Sequence, residues 1–97
     1  MSDNWSVDIE TRGRDGYVYY SEDLNRVRFY WEFGGTPRII AIITGPTPGE
    51  WDTSFPWAKG RQAEIMRRIA EGVILQKAPG CTPEYIYDRN VIHIVAA

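Results

Sequence analysis

The chain has 97 residues, 43% of them hydrophobic and 25% charged, with a net charge of −2 from 11 basic and 13 acidic side chains. That length makes one domain, residues 1–97, able to bury roughly 60–70% of its unfolded surface without metal or disulfide support. The two signs are spread evenly, so no basic tail or patch marks nucleic acid or an anionic membrane as partner, and the composition is that of a folded chain.

Strict alternation opens the chain. Trp5, Val7 and Ile9 alternate with Ser6, Asp8 and Glu10, the period of a strand with one wet face. Asp15-Gly16 is a dipeptide suited to a positive-φ turn, and residues 17–20, Tyr-Val-Tyr-Tyr, return as the second strand of a hairpin. Residues 21–25 form a polar loop. The third strand starts at Arg26, with Val27, Phe29, Trp31 and Phe33 on one face and Arg28, Tyr30 and Glu32 on the other. After a turn at residues 34–37, residues 39–43 are apolar at every position, the pattern of a central strand covered on both faces.

Residues 45–55 are rich in Gly and Pro and read as a loop carrying Trp51. Pro56 suits the first turn of a helix, which runs to about Ala78. Within it Ile65, Met66, Ile69, Ala70, Val73 and Ile74 form one stripe, opposite Glu64, Arg67, Arg68 and Glu71. Glu64–Arg68 and Arg67–Glu71 have the i,i+4 spacing of ion pairs. Pro79-Gly80 ends the helix. Residues 84–87 and 91–95 then make a second hairpin around a three-residue loop, 88–90, with Tyr87 opposite Val91 and Tyr85 opposite His93. The fold class is therefore α+β: an antiparallel sheet of five or six strands, in sequence order ββββαββ, with one long amphipathic helix packed on one face.

One helix covers one face. The other is expected to carry Tyr30, one pair of residues from the second strand, isoleucines of the fourth, and Tyr85, Tyr87 and His93, with Arg28 and Glu32 among them. Tyrosine, arginine and isoleucine together have the composition of a recognition surface. Trp51 is either presented to a partner by its loop or, as the favoured reading, folded back to plug the core together with Phe55 and Trp57.

Catalytic constellations fare poorly. Cys81 is the single cysteine and His93 the single histidine, which leaves no disulfide and no Cys/His metal set. Along the drawn hairpin the two lie roughly 13 Å apart, beyond nucleophile–base reach. No strand–glycine loop–helix phosphate site is present. Residues 28–31, Arg-Phe-Tyr-Trp, have aromatics on a strand as base-stacking sheets do, but the chain is acidic and has one helix, so nucleic acid is disfavoured. The polar residues at positions 1–4 are unlike a secretory leader, and the longest aliphatic run is far below the ~20 residues of a membrane span, so a cytoplasmic location follows.

The sequence thus points to a small non-catalytic binding protein, of the accessory or inhibitor kind in a bacterium or phage. It would meet a protein partner, or a second copy of itself, through the tyrosine-rich face with Arg28, Tyr30, Glu32, Trp51, Tyr85, Tyr87 and His93 as contact residues. No catalytic residue, metal or cofactor is assigned. The alternative is a small-ligand binder or enzyme with a polar pocket around Arg28, Tyr30 and Glu32.

Overall fold

The computed structural model describes residues 4–97; Met1, Ser2 and Asp3, on which the comparison with a leader peptide rests, lie outside the described residues. Six strands form one antiparallel sheet: β1 (Trp5–Thr11), β2 (Asp15–Glu22), β3 (Asn25–Phe33), β4 (Ile39–Thr44), β5 (Thr82–Ile86) and β6 (Val91–Val95). Their spatial order is β1-β2-β3-β4-β6-β5. The chain leaves β4 through helices α1 (Pro48–Ser54) and α2 (Gln62–Lys77), with a 3₁₀ turn at Pro56–Ala58 between them, and re-enters the sheet at its far edge. The last strand, β6, then slots between β4 and β5.

Alternation sets which side chains face the helices. In β2, Val18 and Tyr20 point inward and are fully buried, which leaves Tyr17 and Tyr19 outward. In β3, Val27, Phe29 and Trp31 join them on the inside. Against this layer α2 lays Ile65, Met66, Ile69, Ala70 and Val73, all buried. Close approach is needed where α2 crosses β1: a Cβ on Gly72 would meet the Val7 side chain at 2.7–3.0 Å. Glycine is also required at position 16, where the Trp31 indole crosses the backbone to donate from Nε1 to the Glu10 carbonyl at 3.0 Å.

Several local expectations are corrected. The first hairpin turns at Gly13, whose φ of 83° is left-handed, and Asp15 and Gly16 already belong to β2. The loop between β2 and β3 shrinks to Asp23-Leu24, with Asp23 at φ 54°. Part of the stretch taken as a loop is helical. Thr47 caps α1 by accepting from the Glu50 amide and donating its hydroxyl to the Glu50 carboxylate, and Pro48 occupies the first turn. The helix read from Pro56 is interrupted at Gly60, φ 77°, and resumes as α2. Its Glu64–Arg68 ion pair forms at 3.0 Å, but no Arg67–Glu71 bridge forms among the described residues.

β4 is central, yet only one of its faces is covered. Ile43 is fully buried beneath the helices, while Ile42 is half-buried on the opposite face. A β-bulge interrupts the strand: Ile39 pairs with Val95 and Ala41 with Ile94, so Ile40 has no partner in β6. The C-terminal hairpin has a four-residue turn, with Ile86 opposite Val91, Tyr85 opposite Ile92 and Glu84 opposite His93. This is one residue away from the expected register, and Asn90 supplies the left-handed residue at φ 56°. A shift of one position moves Tyr85 to the other face of the sheet.

Candidate functional site

The uncovered face of the sheet is organised around β2 and β3. Tyr17 lies opposite Glu10 and Tyr30, and Tyr19 opposite Asp8 and Arg28. Guanidinium groups lie over the rings: Arg26 over Tyr19 at 4.0 Å, Arg28 over Tyr17 at 4.4 Å and Arg12 over Tyr17 at 4.6 Å. Tyr17 also meets Tyr30 edge-on at 6.1 Å. For Arg26, Arg28 and Tyr30 the arrangement follows from the pleat, which brings neighbouring-strand side chains together on one face, while Arg12 reaches Tyr17 from the β1–β2 turn.

Hydrogen bonds hold two of the hydroxyls. Tyr19 donates to Glu10 at 3.0 Å and Tyr30 to Asp15 at 2.8 Å. The Asp15 carboxylate accepting that proton holds the Tyr30 phenol above its ordinary pKa. Beyond β3 the face mixes apolar and polar side chains. Ile42 lies beside His93, which lies beside Glu84, and Thr44, Val91 and Ile86 form the next row.

Of the expected contact residues, Arg28, Tyr30, Glu32 and His93 lie on this face. Tyr85 and Tyr87 do not. Tyr85 packs against the core on the helix side, with its phenol pushed up by burial, and Tyr87 stacks on it at 5.6 Å. Trp51 is 1% exposed and belongs to the core, packed on Phe29 and Phe55 with its Nε1 donating to the Ala58 carbonyl. It is a plug, not a presented side chain. The polar depression at one end of the face is lined by Tyr30 and Glu32 together with Arg12, Arg14 and Asp15; Arg28 is engaged on Tyr17 instead.

A second cluster escaped sequence reasoning. Glu22 ends β2 on the inner face and is buried, with its carboxylate bound bidentately by Arg61 at 2.7 and 2.8 Å. Arg68 reaches the same carboxylate at 3.2 Å, the Tyr20 hydroxyl donates to it at 2.6 Å, and Glu64 pairs with both arginines. The Tyr20 ring is stacked between Trp5 and Trp57. The Arg61 hydrogen bonds, working against burial, hold the Glu22 carboxyl at about 2, and burial raises the Tyr20 phenol. Glu22 is thereby held ionised and Tyr20 protonated, each pKa moved away from neutral pH, the reverse of what proton transfer requires. Two cations balance two anions, so the cluster ties β2 to α2 and has no spare valence for a substrate.

Other chemistry is sparse. Cys81 packs against the core while His93 sits on the open face. Among the described residues no three His, Cys, Asp or Glu side chains converge as a metal site, and no helix is long and apolar enough to cross a membrane. Comparison of the chain with protein-family models, with curated proteins and with solved structures gives no match.

Proposed function

We propose that the protein is a non-catalytic binding protein, of accessory or inhibitor type and acting in the cytoplasm, whose open sheet face is its contact surface. The observation that carries this reading is the stack of Arg12, Arg26 and Arg28 on Tyr17 and Tyr19, with Ile42, Val91 and Ile86 as apolar positions farther along the same face. Tyrosine and arginine dominate binding hot spots. Stacking and hydroxyl bonds already restrain these rings, so little side-chain entropy remains to be lost on association.

The charge pattern favours a different protein over a second copy. Asp8 and Glu10 form an acidic row on edge strand β1, and Glu84 lies on the opposite edge. An aligned twofold stacking of two such faces sets the acidic row either against itself or against Glu84, whose charge is already paired with Arg38, so the repulsion falls on the first arrangement. Like charges so placed are repulsive. The partner therefore offers carboxylates to Arg26 and Arg28 and an apolar patch to Ile42 and Val91.

Affinity purification from the organism of origin tests the reading, with Arg26→Glu/Arg28→Glu as the control. One stoichiometric protein retained by the native chain and lost by the double variant is the expected result. A partner held equally by both, or recovery of none, refutes it. Light scattering of the purified chain gives a monomer; a dimer broken by the double variant would assign the face to self-association.

A further inference from the structure

A cavity of about 240 Å³ opens on the helix side of the sheet, beneath the last turn of α2. Its floor is made by Ile9, Val18, Trp31, Ala41 and Ile43 of the sheet, its roof by Val73 of α2, and its rim by Phe33, Ile40 and Lys77. Apolar cavities of ~150 Å³ already admit benzene. This one is larger, and Phe33 and Ile40 at its rim are exposed, so a ligand can enter without unfolding the domain.

Part of the wall is anchored by the fold. The Trp31 indole is pinned across Gly16 by its bond to Glu10, and Ile43 and Ile94 are held in the core of the sheet. The bulge in β4 sets the consecutive residues Ile40 and Ala41 on the same cavity, one at the rim and the small one at the floor. Unfilled apolar space weakens a fold in proportion to its volume, and a bound apolar body removes that penalty.

Charge selects the head group. Lys77 is the one charged side chain in the lining and has no ion-pair partner among the described residues. The carbonyls ending α2 contribute roughly half a negative charge, which the full charge of Lys77 outweighs. We propose that this cavity binds a small apolar monocarboxylate, with the carbon body on Trp31 and Ala41 and the carboxylate at Lys77. The site is separate from the open sheet face and does not depend on it.

The test titrates the full chain with octanoate and, as a neutral match, 1-octanol, followed by ¹H–¹⁵N correlation spectra and calorimetry. Octanoate binds with a Kd on the order of 0.1–1 mM. It shifts the Trp31 indole N–H and the Ala41 and Ala78 amides. Lys77→Gln weakens octanoate about threefold to fivefold and leaves octanol unchanged. Ala41→Leu, or Ala78→Leu should the first fail to fold, fills the space and abolishes both. No shift with octanoate overturns the proposal, as do shifts confined to Tyr17, Tyr19 and Arg28. Equal binding of the two ligands with no effect of Lys77→Gln overturns the carboxylate assignment.

Discussion

Replacing Glu22 by Gln keeps the shape of the buried cluster and removes its central charge. The native carboxyl titrates at about 2, well below the ordinary glutamate value of 4.5, because Arg61 binds its ionised form. A depressed folded pKa contributes stability that is present above the unfolded pKa and lost as pH falls through the folded one. The separation of roughly 2.5 units corresponds to about 3 kcal/mol at neutral pH, since each unit is worth about 1.4 kcal/mol. Arg61 is 29% exposed, so solvent screens the pair and brings the expected loss nearer 2 kcal/mol. Urea unfolding of native chain and variant at pH 7, 5 and 2.5 measures it directly. The difference should be about 2–3 kcal/mol at pH 7, nearly unchanged at pH 5, and below about 1 kcal/mol near pH 2.5. A difference that is independent of pH, or under about 0.5 kcal/mol at pH 7, refutes the assignment of Glu22 as the charge that locks β2 to α2.

Two further substitutions probe the packing. Gly72→Ala raises helix propensity by ~1 kcal/mol but drives a methyl into Val7. The clash wins by about 1–2 kcal/mol, and thermal unfolding of the single variant beside Gly72→Ala/Val7→Ala should show the second change relieving the first. Trp51→Ala removes a fully buried ring and its bond to Ala58, at a cost of about 3–5 kcal/mol in chemical denaturation. A loss below 1 kcal/mol would return Trp51 to the surface.

How much of this was legible varies with the residues concerned. β3 was unambiguous because its two faces differ in kind, with Val27, Phe29 and Trp31 against Arg28, Tyr30 and Glu32. β2 was not. Tyrosine occurs in both phases, and the phase that is buried ends in a glutamate. Only the arrival of Arg61, just before α2, and Arg68, within it, some 40 residues later in the chain, makes an inward Glu22 tolerable. α1 was hidden by its Gly and Pro, although Thr47, Pro48 and Glu50 form a recognisable helix start. In the last hairpin the alternation fits two registers, and counting three turn residues where the chain uses four put Tyr85 on the wrong face. The bulge at Ile40 has no counterpart in the sequence, since an all-apolar run looks the same whichever residue is displaced.

The insertion of β6 between β4 and β5 bears on how the protein is made. During synthesis β1 to β4 emerge first and can pair as a meander, but β4 then ends the sheet with five consecutive apolar residues along an unpaired edge. Such an edge is a template for the strands of neighbouring nascent chains. It stays open while some 45 further residues, including both helices and β5, are translated, and it closes only when β6 arrives with Ile92 and Ile94. Yield in a host should therefore depend on the speed of translation and on chaperone supply more than on the stability of the finished domain.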